Sequence, residues 1–501
     1  MYSNEARLMK NRCNILLITS DSQRTDTLGC MGSRWAHSPN LDALAARGVL
    51  FTQAHCASPV CMAARCSIMS GLHAPLHGCL ENGIQRHDNI VFFTDALKEA
   101  GYATAMIGKT HFGPMPASFD YSFITEGEKN ANSNDYFAGE MARRGFSRAS
   151  AHPNPIPEAE CLESLIVDKT IECIKEMNVS GRPFFAYCSL LSPHSPLDPP
   201  GSFLTGNLFP AAIPPPRFRS GEWKDLPQTI QTFCGIPNNS TNTLDEAQGG
   251  IADNFSSEAL LNYRELYYRS AAYVDSLAGK LINFLDDAKL SETTLVIFTS
   301  DHGIQNFDHG FNDKHNYYDE SWRVPFIMSL PGALPQNQRR GFASHVDIAP
   351  TILSAAGCVC DYANGFDLFG PLVRGEANPR CFAAAALYGS LALASDDWKI
   401  EYYCAVDRFR LFDRRHDSGE DRNIADDGAY AEALARMSRA LLAWRSGLLN
   451  TAALKQRMQP GGPVSKRIAK DVLAAAGNRS EAQVCKLLRN KEMSNKYAFN
   501  N

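Results

Sequence analysis

Four short apolar runs, each leading into ionisable residues, constrain this chain more than any other feature. NILLITS (14–20) runs into Asp21, YATAMIG (102–108) into Lys109 and His111, and TTLVIFTS (293–300) into Asp301, His302 and Gly303. Within RPFFAYCSLLSPHSP (182–196) an apolar run stopped by prolines is followed by His194. Near-continuous apolar runs of this length are those of strands buried on both faces. Helical patterns separate them. SPNLDALAARGVLF starts at Ser38-Pro39 and is closed by Gly48; HDNIVFFTDALKEAGY is ended by Gly101; a long pattern fills 256–290. The alternation predicts an α/β fold, with a largely parallel sheet covered by helices on both faces. In open sheets of this kind ligands sit outside the carboxyl ends of the strands. Four strands carrying cationic or metal-type side chains to that edge predict a functional site.

The chain has 501 residues, enough for one large unit and a smaller one. The character changes near residue 370. Two strand-like runs around a polar turn in 397–426 predict a small antiparallel sheet with helices. The expected division is therefore 1–375 and 376–501, with the Pro-, Gly- and Asn-rich stretch 197–255 either as a surface insertion shaping a pocket rim or as a partly disordered loop. Hydrophobic residues make up 44% and charged residues 21%, and the net charge is -5. That balance fits a soluble globular protein and excludes a polyanion-binding field, so no nucleic-acid partner is expected. No apolar segment reaches the length of about 18 residues needed to span a membrane. Met1–Arg12 is polar and does not read as a secretory signal. A cytoplasmic protein with mostly reduced thiols is expected, a periplasmic form with a trimmed N-terminus being the alternative. The cysteines number 15, so at least one is unpaired. Cys56 and Cys66 read as small buried hydrophobes, and Cys358 and Cys360 as structural.

Asp21, Asp301 and His302 together suit a divalent cation, although Asp21 alone would read as a cap or turn residue. Cys61 stands near the start of a helical segment, where free N–H groups and the backbone dipole favour an anion. Arg65 lies one turn on, on the same face.

At this point the chain resembles the formylglycine-dependent sulfatases of the alkaline phosphatase superfamily. CMAAR (61–65) looks like their maturation motif, Cys-x-Pro/Ala-x-Arg. IGKTHFG (107–113) resembles their Gly-Lys-x-His segment, and SPHSPL (192–197) their Pro-His-x-Pro loop. FTSDHG (298–303) with DKHNYYDESWRVPFI (313–327) resembles the second metal segment and the lysine block after it. RLFDRRHDSGEDRNIAD (410–426) resembles the C-terminal motif. The motifs follow one another in the family's order from residue 14 to about 426.

The resemblance implies an alkaline-phosphatase-like α/β fold, with a large mixed, mostly parallel sheet sandwiched by helices and a smaller C-terminal α+β subdomain. It also implies that Cys61 is oxidised by a maturation enzyme to formylglycine. A hydroxyl of the hydrated aldehyde would attack sulfur, and the second hydroxyl would then expel sulfate. By position, Asp21, Ser22, Cys61, Asp301 and His302 would hold one divalent metal ion, with Ca2+ expected first and Mn2+, Mg2+ or Zn2+ as alternatives. Arg65 and Lys109 would stabilise charge at residue 61. His111 would be the base that collapses the diol, His194 would protonate or hydrogen-bond the leaving oxygen, and Lys314 would hold sulfate oxygens. The implied substrate is a small sulfate ester of sugar, aryl or choline type.

Two positions depart from the pattern, and a third takes its less common form. Ser22 stands where the family carries an acidic or amide ligand. Either Ser22 or Gln23 fills that place, a water does, or metal affinity is reduced. His302 stands where many relatives have Asn, and imidazole suits Mn2+ or Zn2+ better than Ca2+. Ala63 replaces the commoner Pro, a form shared with substrates of radical-type maturation enzymes and fitting a bacterial protein.

Two other readings share these residues: a phosphonate monoester or phosphodiester hydrolase, and a catalytically impaired binding homologue. A thiol-redox protein would need a resolving cysteine near Cys61, and no Cys-x-x-Cys is present. His73, His77 and Asn82 are candidate pocket residues, each with a structural role as its plainer reading. The helix after residue 430 is a candidate element for homo-oligomer assembly.

Overall fold

The computed structural model describes residues 12–125, 135–146, 154–234, 236, 250–448, 484–485 and 487–488. In chain order its strands are β1 (Asn14–Ser20), β2 (Val49–His55), β3 (Ala103–Lys109), β4 (Tyr121–Thr125), β5 (Phe184–Ser189), β6 (Gly250–Ile251), β7 (Thr294–Ser300), β8 (Phe311–Asn312), β9 (Phe326–Ser329), β10 (Gln338–Ser344), β11 (Ala383–Leu387), β12 (Ser390–Ala394), β13 (Trp398–Tyr403) and β14 (Arg408–Asp413). Eight of them form one sheet in the order β10-β2-β9-β7-β1-β5-β3-β4. Only β9 runs antiparallel to its neighbours. The large, mostly parallel sheet is as expected.

The central strand shows why the sheet is buried on both sides. Ile15 and Leu17 pack on one face with Phe185, Tyr187, Leu295 and Ile297. Leu16 and Ile18 pack on the other with Ala186, Cys188, Val296 and Phe298. All four β1 side chains are fully buried, each worth about 1.5–3 kcal/mol relative to exposure. Helices Leu162–Val179 and Ser257–Asp287 contribute to the second face through Leu165, Ile166, Ile174, Val274, Leu277 and Leu281. The 31-residue helix starts where the Ser256 side chain accepts from Ala259 N–H, an N-cap. Among the described residues no helix is long and apolar enough to cross a membrane.

The antiparallel order β11-β12-β13-β14 forms the second sheet. One face carries Ala384, Leu393, Ile400 and Leu411 against Met437, Leu441 and Trp444 of the helix Ala431–Gly447. The opposite face, with Ala385, Leu387, Ala394, Tyr403 and Phe412, joins the core of the large sheet. Cys381 is disulfide-bonded to Cys485, tying the start of this sheet to a segment 104 residues away. The other thirteen cysteines are free.

The structure sets the local boundaries of several elements. The helix begun at Pro39 stops at Ala46; the VLF after Gly48 opens β2 instead, because Val49, Leu50 and Phe51 are buried in the sheet. The strand within 182–196 is confined to Phe184–Ser189, and its chain leaves the sheet before the prolines. The 197–255 stretch holds short helices at Gly201–Leu204 and Gln228–Phe233; residues 235 and 237–249 lie outside the described residues.

Candidate active site

The four predicted strand ends arrive at one place because β7, β1, β5 and β3 are consecutive, parallel neighbours. β1 delivers Asp21, β7 delivers Asp301 and His302, and β3 ends on Lys109 itself. Gly108 makes that last placement work: its φ is +98°, and a Cβ there would lie 2.0 Å from the Ser189 carbonyl oxygen. Gly303 matters through close packing. Its φ is not in the left-handed region; instead a Cβ would meet the Glu320 carbonyl oxygen at 2.0 Å.

The fifth element is the helix Cys61–Ser70, every residue of which is buried. Its N-cap residue Val60 supplies no side-chain hydrogen bond. Asn82 Oδ1 accepts from Met62 N–H at 3.1 Å, satisfying one of the donors that a helix start leaves free. Cys61, the first helical residue, is 2% exposed. Its Sγ stands where the oxygens of a converted residue would stand. Lys314 Nζ and His302 Nε2 each lie 3.1 Å from it. Burial pushes the thiol pKa up, but Lys314 and His302 outweigh burial and the nearby Asp21, holding it well below the usual thiol range.

Arg65 sits one turn along and bridges the two carboxylates. Its NH2 reaches Asp21 Oδ2 and its Nε reaches Asp301 Oδ2, both at 3.0 Å, while NH1 donates to Ser189 Oγ at 2.7 Å. Lys109 Nζ lies 2.8 Å from Asp21 Oδ2. The primary contacts of both cations are thus with the metal-type carboxylates, not with residue 61. Burial raises the Asp21 pKa, yet Lys109, His194 and Arg65 together hold it well below the carboxylate range. Asp301 goes the other way, raised by burial and by Asp21.

Ligand atoms of Asp21, Cys61, Asp301 and His302 all lie within 4.8 Å of one another. This donor set fits a divalent cation. His302 Nδ1 donates to the Gly303 carbonyl at 2.7 Å, which turns Nε2 toward the cluster in the usual manner of a metal-ligating histidine. Ser22 does not stand free as a further ligand. It is in the left-handed region at φ 62°, its hydroxyl donates to Asp21 Oδ1 at 2.9 Å, and its N–H donates to Asp301 Oδ1 at 3.0 Å. Its carbonyl accepts from Tyr267 OH at 2.7 Å. Gln23 turns its amide to Thr27.

His194 donates from Nδ1 to the Ser195 carbonyl at 2.7 Å and accepts from Lys314 Nζ at Nε2, 3.2 Å away. Burial and then Lys314 lower its pKa to about 4, so the ring is neutral at pH 7. His111 follows Lys109 in the left-handed region at φ 43°, and its Nδ1 is buried without a hydrogen-bond partner. His77 is structural: it bonds Ser67 Oγ at 3.0 Å and accepts from Cys79 N–H at 3.2 Å. His73 packs edge-on against Trp444. Sequence reasoning missed Ser189 and Tyr267. A serine at a strand end and a tyrosine in a helical stripe carry no signal until the fold brings them to Arg65 and Ser22.

Residues 13–358 match the protein family described as Sulfatase. Residues 307–447 match the family described as N-sulphoglucosamine sulphohydrolase, C-terminal. The chain is 26% identical over 502 residues to an arylsulfatase of Clostridium perfringens, covering 90% of this chain and 98% of that one. It is 27% identical over 448 residues to a choline-sulfatase of Rhizobium meliloti, covering 83% and 82%. The phosphonate monoester hydrolase of Agrobacterium radiobacter has a similar fold, with TM-score 0.74 and 22% identity over 88% of this chain and 97% of that one.

Proposed function

The chain belongs to the sulfatase family, and from that membership we propose that it hydrolyses a small sulfate ester through a formylglycine made from Cys61. The observation that carries this reading is the position of Cys61 Sγ, 3.1 Å from both Lys314 Nζ and His302 Nε2 at the start of a buried helix. A thiol kept only for packing has no need of an ammonium group and an imidazole.

Formylglycine at residue 61 would supply a hydroxyl nucleophile and a second hydroxyl for releasing sulfate. Asp21, Asp301 and His302 would hold a divalent cation, which would lower the pKa of such a hydroxyl. The chain's own residues do the rest. Arg65 and Lys109 keep Asp21 ionised in a buried place. Lys314 faces the group on residue 61 and would offset the negative charge of a sulfuryl group. His194 accepts from Lys314 at Nε2, so the proton of this pair is carried by the Lys314 ammonium, which can donate to the leaving oxygen. This refines the role the resemblance gives to His194.

The names of the relatives, an arylsulfatase and a choline-sulfatase, support a substrate of aryl or choline type. His302 favours a second reading with the same residues, phosphonate monoester or phosphodiester hydrolysis, because imidazole suits Mn2+ or Zn2+. Two measurements test the proposal. The peptide holding residue 61 should be about 18 Da lighter than its cysteine form. Aryl sulfate should be turned over faster than aryl phosphonate or phosphodiester, and Cys61→Ala should abolish turnover. An active protein with an untouched thiol would overturn the formylglycine reading, and a preference for phosphonate would select the second.

A further inference from the structure

Beside Lys314 lies a second set of ligand-type side chains that the proposed hydrolysis does not use. Cys234 Sγ, a carboxylate oxygen of Asp313 and a ring nitrogen of His315 all lie within 4.8 Å of one another. Cys234 is 1% exposed and Asp313 6%. They come from two separate stretches. Cys234 ends the helix Gln228–Phe233 in the 197–255 segment, while Asp313 and His315 flank Lys314.

The orientation of His315 points to a ligand. Its Nε2 lies 3.0 Å from Glu81 Oε1, and a carboxylate can only accept, so Nε2 carries a proton. The other nitrogen, Nδ1, is buried and has no hydrogen-bond partner; Asp313 Oδ1 is 3.6 Å away. The Phe233 ring lies nearly parallel to the imidazole, at 8° and 5.9 Å. The backbone of His315 is held in the left-handed region at φ 67°. A histidine with one nitrogen bound to a carboxylate and the other aimed at a thiol and a second carboxylate has the arrangement of a metal ligand with its outer partner.

We propose that Cys234, Asp313 and His315 bind a Zn2+ ion that ties the 197–255 segment to the loop carrying Lys314. Thiolate, imidazole and carboxylate are together the donors zinc takes, at about 2.0–2.3 Å. One thiolate and one carboxylate neutralise the ion, so no net charge is buried. Binding would release the thiol proton, which otherwise lies toward the Lys314 carbonyl at 3.2 Å, and the Nδ1 proton that Asp313 and Glu81 favour on this ring, leaving the Nδ1 lone pair for the ion. Glu81 sets the imidazole through Nε2.

The full-length Cys61→Ala protein is the right background, because it removes the one thiol in the catalytic cluster. Titrated with Co2+, it should develop a thiolate-to-cobalt charge-transfer band that saturates at one ion per chain and is displaced by one equivalent of Zn2+. Cys234→Ser in that background should abolish the band. Glu81→Gln keeps all three ligands and should weaken Zn2+ binding by about 10–100-fold, with an unchanged far-ultraviolet circular dichroism spectrum. The absence of a band, a band that survives Cys234→Ser, or an affinity unmoved by Glu81→Gln would overturn the assignment.

Discussion

Lys109 Nζ and Asp21 Oδ2 lie 2.8 Å apart in a buried site, and Arg65 reaches the same oxygen from the other side at 3.0 Å. Removing one partner of a buried pair costs about 3–5 kcal/mol when the remaining charge is left alone. Here Arg65 stays, so Lys109→Met should lower the unfolding free energy by less, about 2 kcal/mol. A divalent cation at the same carboxylate should recover part of that loss. Urea denaturation with and without Mg2+ or Mn2+ checks both statements. A midpoint unmoved by the substitution would mean that Lys109 does not bear on Asp21.

His309 predicts a loss of stability at alkaline pH. The ring is buried and lies 2.9 Å from Glu222 Oε1 through Nδ1, with Glu320 Oε2 3.6 Å and Arg217 NH2 3.5 Å from Nε2. Burial alone would lower its pKa, but Glu222 and Glu320 raise it to about 9. A histidine with a raised folded-state pKa stabilises fully below its unfolded value of about 6.5 and loses that contribution as pH rises through the folded value. The contribution is about 3 kcal/mol across that interval. The wild-type unfolding free energy should therefore fall between about pH 6.5 and pH 9, and His309→Gln should flatten the slope. Equal slopes in the two proteins would remove His309 as the cause.

The parts of the fold that were legible in the sequence are those set by burial on both faces. β1, β3, β5 and β7 carry almost no polar residue before their ends, so their strand character and the groups that follow them could both be read. β11 and β12, AAAAL and SLALA, were not legible because alanine-rich runs lack the β-branched and aromatic side chains that mark strands. Their strand state comes from packing between the large core and the helix Ala431–Gly447. At the site, residue types and strand ends were enough to find Asp21, Asp301, His302 and Cys61. The bridge from Arg65 to both carboxylates was not readable, because i, i+4 spacing places Arg65 on the face of Cys61 but cannot say which strand ends meet it. Glu81 and His315 are 234 residues apart, and nothing local links them.

Lys314 and His194 predict an acid limit to activity. The neutral ring accepts from Lys314 Nζ at 3.2 Å. Protonation at about pH 4 would set one cation against another and break that bond. Above this value the ring is neutral and the bond intact, so kcat/KM should fall as pH drops through about 4. His194→Gln keeps an acceptor that does not titrate and should lack this limb, whereas Lys314→Ala should lower kcat by about 10²–10³-fold at every pH. Rates on an aryl sulfate from about pH 3 to pH 6 separate the two. An acid limb of the same midpoint in His194→Gln would assign it to another group.

Asn82 predicts a coupling between a cap and the position of Cys61. Its Oδ1 accepts from Met62 N–H, the donor next to Cys61 on the helix that carries it. Val60 offers no side-chain substitute. Losing a side-chain cap costs about 1 kcal/mol, and here the frayed turn would be the one that aims residue 61 at Lys314 and His302. Asn82→Ala should lower the unfolding free energy by about 1 kcal/mol and reduce kcat more than it raises KM, since the first turn sets the nucleophile and not the leaving group. Asn82→Asp, which retains the acceptor, should restore the stability. Its added negative charge near the site should leave kcat below wild type, because it opposes an anionic substrate. If Asn82→Ala raised KM alone, Asn82 would be a contact for the alcohol portion of the substrate, and its bond to Met62 would be incidental to catalysis.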